Sequence, residues 1–122
     1  MVTFKMKIKL KKIIDGVETL DRLSKVKLPV VASFKISKLV SLLRPDVESF
    51  HSKREELIKS LGKETKKDGS YMVLDKNIPK FASEMQKLGE LEIDIEFNPI
   101  EIAELGDAII EPELLQDWIF KM

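Results

Sequence analysis

Several things are scarce in this chain of 122 residues, and each scarcity excludes a class of protein. There is no cysteine, which excludes disulfide scaffolds, thiolate metal sites and cysteine nucleophiles. There is no excess of either charge, since 21 Lys and Arg balance 21 Asp and Glu. No global attraction to nucleic acid or to an anionic membrane is therefore expected. No run of about 18 apolar residues occurs, so we predict no transmembrane helix.

The N-terminus also lacks the uninterrupted apolar stretch that a signal peptide needs, so we expect a cytoplasmic protein. What is present fits a folded domain, because 43% of the residues are hydrophobic. A chain of this length is typical of one domain with one core. We therefore predict a single domain over residues 1–122.

The zero net charge is the sum of two opposite halves. Residues 1–61 hold 14 Lys and Arg against 7 Asp and Glu, whereas residues 62–122 hold 7 against 14. Such asymmetry is typical of a basic arm and an acidic tail. The detailed pattern instead concentrates basic residues in one predicted strand and acidic residues in another.

Phe4–Lys11 alternates between apolar residues and lysine, and Glu90–Phe97 alternates between acidic and apolar residues. A period of two predicts half-buried strands. If the strands are neighbours, lysines lie across from carboxylates, and each pair contributes about 0.2–1 kcal/mol. Three hypotheses remain open: a solvated ladder of ion pairs, an anion-binding stripe formed by Lys5, Lys7, Lys9 and Lys11, or pairing of these strands between two chains. The second weakens if the acids neutralise the stripe.

The predicted fold class is α+β. We expect a small, mostly antiparallel sheet with strands near 3–11, 70–74 and 90–97, together with a helical hairpin and short C-terminal helices. Ala108–Ile110 is a candidate for a brief further strand.

The helical hairpin is predicted near 15–27 and 30–61. Asp15 and Glu18 have the spacing of a capping box. Pro45 lies inside the second helix, where it removes one backbone donor. We therefore expect the helix to be kinked or broken there.

No motif for catalysis stands out. His51 is the only histidine, and no second one is available to complete a histidine-rich metal site. No complete phosphate-binding loop, dinucleotide fingerprint or nucleophile elbow occurs. We expect neither enzymatic activity nor a cofactor or metal. Basic residues of the second helix alternate with acidic ones, so nucleic-acid binding is not expected either.

The C-terminal apolar group is large for a chain end. It forms either a closure of the core or an interface with another copy or a foreign partner. Its members are Leu114, Leu115, Trp118, Ile119 and Phe120.

A series of segments, in this order, resembles a family of small tailed-phage and prophage proteins: Met6–Leu10, Lys27–Val30, Lys35–Leu39, Glu55–Lys59, Lys67–Tyr71, Glu90–Ile95 and Ile110–Leu115. The family has no assigned function, so no catalytic or binding residues follow from the resemblance. Pro45 departs from its pattern, in which the long helix runs unbroken.

The resemblance implies a phage or prophage context. The first hypothesis is a non-enzymatic, homo-oligomeric binding protein that acts on a host factor or a defence signal in the host cytoplasm. The second is a structural or assembly component of the virion. The third is a protein that sequesters a small anionic nucleotide with its lysines.

Overall fold

The α+β prediction is confirmed by a computed structural model, which describes residues 3–64, 69–116 and 118–121. Three helices are present in these ranges: α1 (Leu10–Leu23), α2 (Val30–Leu61) and α3 (Ile78–Gly89). Six short strands accompany them: β1 (Phe4–Lys9), β2 (Gly62–Glu64), β3 (Tyr71–Val73), β4 (Glu92–Phe97), β5 (Ile100–Glu101) and β6 (Phe120–Lys121). Single turns of 3₁₀ helix lie at Asp75–Asn77, Ile102–Leu105 and Pro112–Leu114.

The two alternating segments pair as predicted. β1 and β4 are antiparallel, with Lys5 opposite Glu96, Lys7 opposite Asp94 and Lys9 opposite Glu92. The pleat turns the apolar residues of both strands to the other face, where all but the exposed Phe4 pack in or against the core. A one-residue slip would exchange the two faces, so the burial of one face fixes this register.

The first strand is shorter than predicted, and the first helix begins earlier. The strand ends at Lys9, whereas the prediction extended it to Lys11, and α1 begins at Leu10 rather than near Asp15. Leu10, Ile13 and Val17 recur at helical spacing and are buried. Burial of this stripe favours a helix at residues 10 and 11, although their alternation also fits a continued strand. Asp15 is consequently an exposed residue inside α1 and caps nothing.

Of the two outcomes predicted at Pro45, a kink or a break, the break is absent. α2 runs without interruption over its 32 residues, with Pro45 inside it. A proline at this position leaves the carbonyl of Ser41 without its helical donor. Both Ser41 and Pro45 are exposed, so water can reach that carbonyl and the helix tolerates the proline.

The remaining strands pair differently from the prediction. The strand expected near 70–74 does not join β1 and β4. It forms β3, which pairs antiparallel with β2 directly after α2. Gly62 begins this ribbon, and a Cβ there would clash with the Met72 carbonyl oxygen, so no side chain fits. Ala108–Ile110 is not a strand, and the C-terminus instead closes a parallel pair between β5 and β6.

The core occupies only one part of the molecule. Every buried apolar side chain in the described ranges lies between residues 10 and 43 or between residues 95 and 120. None of the residues that the structure describes from 48 to 88 is buried. We call residues 48–64 and 69–88 the outer segment. It comprises the second half of α2, the β2–β3 ribbon and nearly all of α3.

Helix lengths explain this uneven burial. α1 has 14 residues, whereas α2 has 32 residues. At a rise of about 1.5 Å per residue, α1 spans about 21 Å and α2 spans about 48 Å. Packed side by side, α1 covers less than half of α2. α2 is also contacted by β2, β3 and α3, and the apolar side chains of its second half are covered only in part.

Candidate functional site

The lysine stripe of β1 is matched by a row of carboxylates. Lys5, Lys7 and Lys9 each lie opposite an acidic residue of β4. Lys11, the fourth predicted member, lies in α1 rather than on the strand. An anion that approaches the stripe therefore also meets Glu96, Asp94 and Glu92, which weakens the hypothesis of an anion-binding site.

At one end of the stripe, Glu90 bridges two lysines. Its Oε1 lies 2.6 Å from the Lys11 Nζ, and its Oε2 lies 2.7 Å from the Lys9 Nζ. Hydrogen bonds from Lys11 and then Lys9 lower the pKa of Glu90 to about 2. The hydrogen bond between Lys9 and Glu90 in turn raises the pKa of Lys9. Two of the four candidate anion-binding lysines are thus already paired with a carboxylate.

The C-terminal apolar group lies in the core of this chain. Leu114, Ile119 and Phe120 are buried, and Leu115 and Trp118 are half-buried against the same core. Of the two predicted roles, closure of the core is therefore the one that the structure shows for the three buried residues. They present no surface to a partner.

Trp118 holds this closure in place. Its indole ring lies on α1 at Gly16, where a Cβ would clash with the Trp118 Cζ2. The ring also packs edge to face on Phe97, with centroids 6.1 Å apart. Its Nε1 donates to Gln116 Oε1 at 2.9 Å, and Gln116 Nε2 donates to Thr19 Oγ1 at 2.7 Å. The chain end is fixed to α1 by both packing and hydrogen bonds.

The structure brings no candidate metal cluster together in the ranges that it describes. His51 is exposed on α2 and contacts the Phe50 ring edge to face, with centroids 5.6 Å apart. No group of three or more His, Asp or Glu residues that could hold a metal ion occurs among the described residues. Within the same ranges, no helix has the length and apolarity that a membrane span requires.

A groove that was not predicted lies between the first half of α2 and the end of β4. We call it the α2 groove; its volume is 520 Å³. Phe34 and Leu42 line it and expose 58% and 43% of their surfaces. They are eight residues apart, with Lys38 between them, and so lie on one face of the helix. The Lys38 Nζ lies 5.7 Å from the centre of the Phe34 ring.

A half-buried ion pair forms part of the groove wall. The Lys35 Nζ lies 2.5 Å from Glu104 Oε1, and this hydrogen bond lowers the pKa of Glu104. Lys38, in contrast, has no carboxylate within 4.0 Å in the described part of the chain. The groove is therefore lined by an apolar row, by Lys38, which forms no ion pair in the described chain, and by the Glu96 carboxylate.

The sequence carried a signal for this groove. Phe34, Leu39, Leu42 and Leu43 read as one apolar face of the second helix, but they occupy two stripes. Leu39 and Leu43 are buried, whereas Phe34 and Leu42 point away from the core. A helix with apolar residues on two faces has a second surface to cover, and the spacing of these four residues already contains that pattern.

Comparison with protein-family models, with curated proteins and with solved structures gave no match to this chain. The phage context therefore remains an implication of the sequence resemblance alone.

Proposed function

We propose that this chain is a non-enzymatic binding protein whose α2 groove captures a short apolar segment of a host protein. The observation that carries the proposal is the exposure of Phe34 and Leu42 on the wall of a formed groove. Large aromatic and aliphatic side chains that line a pocket are the usual anchors of protein interfaces.

The length of the partner segment can be inferred from the free energy that burial of the groove side chains contributes. Complete burial of a Phe or Leu side chain contributes about 1.5–3 kcal/mol. Phe34 and Leu42 are already partly covered, so together they supply roughly 2–3 kcal/mol, too little for specific capture. Val30 and Val31 precede Phe34 by four and three residues and are also exposed. The partner is therefore expected to extend along the helix to its first turn.

The apolar and charged side chains of the groove indicate the chemistry of its partner. An amphipathic helix that places two or three apolar side chains at helical spacing would follow the row of Phe34 and Leu42. A carboxylate beside those side chains would pair with Lys38, which has no carboxylate within 4.0 Å in the described chain. The partner class is thus an acidic, amphipathic segment, and the phage resemblance suggests a host protein as its source.

Affinity capture with tagged variants tests this proposal. The wild-type chain, Phe34→Glu and Ile109→Glu are used as baits in bacterial lysate, and bound proteins are identified by mass spectrometry. Ile109 is a matched control because it is 95% exposed and lies outside the groove lining. We expect a host protein that binds the wild type and Ile109→Glu but is lost with Phe34→Glu.

Two outcomes would contradict the proposal. One is a set of captured proteins that does not change with Phe34→Glu. The other is recovery of the chain in purified phage particles with no host partner, which would favour a virion component instead.

A further inference from the structure

We propose that the outer segment is the interface through which two copies of this chain form a dimer. The proposed interface is separate from the α2 groove. Phe34 in the groove and Leu57 in the outer segment both lie on α2 and are about 35 Å apart along its axis. The dimer therefore goes beyond the capture of a host segment and is tested independently of it.

The first observation is a seam on α2 that continues past the core. Residues at heptad spacing face α1 in the first half of the helix, where Ile36 and Leu43 are buried. The same seam continues through Phe50, Leu57 and Leu61, which are only half-buried. One helix face is thus covered by the core at one end and left partly open at the other.

Neighbouring elements of the outer segment also expose apolar side chains. β3 and α3 both contact α2, and each exposes a large apolar side chain. Met72 of β3 is 62% exposed, and Ile78 at the start of α3 is 50% exposed. Apolar side chains that are exposed or half-buried therefore occur on three elements of the outer segment rather than on one helix alone.

The exposed area of the whole chain is larger than that of a compact monomer of the same mass. A compact monomer of 14.0 kDa exposes about 6,700 Å², whereas this chain exposes 8382 Å². The difference is about 1,700 Å², and a standard protein interface buries about 800 Å² on each partner. The excess is large enough for a stable dimer.

Charge favours a second copy as the occupant. The outer segment holds seven Lys and Arg and six Asp and Glu, so two copies approach without like-charge repulsion. A two-fold interface must be complementary to itself, and a surface of nearly balanced charge meets that condition. Arg54 lies in the seam between Phe50 and Leu57, where a polar residue favours one register.

Sedimentation velocity of the full chain at several concentrations tests the dimer. The wild type is expected to sediment as a dimer, and Met72→Glu combined with Ile78→Glu is expected to sediment as a monomer. Ile109→Glu is the matched control and should remain dimeric. Because Met72 and Ile78 are exposed, the variant should keep the wild-type far-ultraviolet circular dichroism.

A monomeric wild type at every concentration would overturn the proposal, as would a dimer that Met72→Glu with Ile78→Glu leaves intact. Phe34→Glu separates this interface from the α2 groove. We expect it to remain dimeric while losing its host partner. Loss of the dimer in Phe34→Glu would place the interface at the groove and contradict the assignment to the outer segment.

Discussion

At the residue scale, Gly16 shows how one position holds the chain end. It lies inside α1, where alanine is ordinarily favoured over glycine by about 1 kcal/mol. Here the Trp118 ring occupies the space that a Cβ would need. The contact explains why a glycine is present in the middle of a helix.

We predict that Gly16→Ala lowers the free energy of unfolding by about 1–2 kcal/mol, because overpacking against Trp118 exceeds the gain in helix propensity. Urea unfolding followed by Trp118 fluorescence measures the change. Gly89→Ala is the matched control, since a Cβ there meets only the Lys11 Cβ at 3.4 Å, an ordinary contact. A Gly16→Ala protein as stable as the wild type would show that Trp118 does not pack on α1.

Glu90 gives a prediction for pH dependence. Its pKa lies at about 2 in the folded chain, against an ordinary value of 4.5. A carboxyl with a lowered pKa stabilises the folded state above its unfolded pKa and loses that contribution as the pH falls. We predict that, as the pH falls from about 4.5 to 2, the free energy of unfolding decreases less in Glu90→Gln than in the wild type.

Unfolding free energies measured across this pH range check the prediction. Glu92→Gln serves as the control, because Glu92 forms no ion pair within the described residues. Equal acid profiles for Glu90→Gln and the wild type would mean that the Lys9 and Lys11 contacts do not persist in solution.

At the element scale, the β1–β4 pair is the part of the fold that the sequence predicted best. The alternation of lysine and carboxylate indicated both strands, their faces and their antiparallel pairing. The predicted end of β1 was wrong because the local pattern at Leu10 and Lys11 fits a strand as well as a helix. Tertiary burial of Leu10 decides between them, and a local pattern does not contain that information.

Charge exchange between the strands tests this pairing. Lys5→Glu with Lys7→Glu places like charges opposite Glu96 and Asp94, and we predict a loss of about 1 kcal/mol in stability. Adding Glu96→Lys and Asp94→Lys should recover at least half of that loss. Chemical denaturation of the three proteins measures both changes, and purely additive losses would refute the pairing.

The candidate sites were less predictable than the strands. The lysine stripe could be identified from the sequence, but its neutralisation depends on the partner strand. The burial of Ile119 and Phe120 also depends on where the chain end lies, which no local pattern specifies. The α2 groove requires knowing which stripe of the helix α1 covers. In each case the missing information is which distant segment packs against a known face.

At the scale of the whole molecule, the chain divides into a part with a core and a part without one. The buried apolar side chains of the described ranges all lie in residues 10–43 and 95–120, whereas the outer segment buries none. A region with few buried contacts is expected to open easily unless a partner covers it. The outer segment is therefore expected to gain its protection from a second copy.

Hydrogen exchange on the full chain tests this expectation most directly. The wild type is compared with Met72→Glu combined with Ile78→Glu under the same conditions. We predict that the variant loses amide protection in the second half of α2 and in α3, while α1 and the first half of α2 keep theirs. Equal protection of the outer segment in both proteins would contradict the proposed dimer, because that segment would then be stable without a partner.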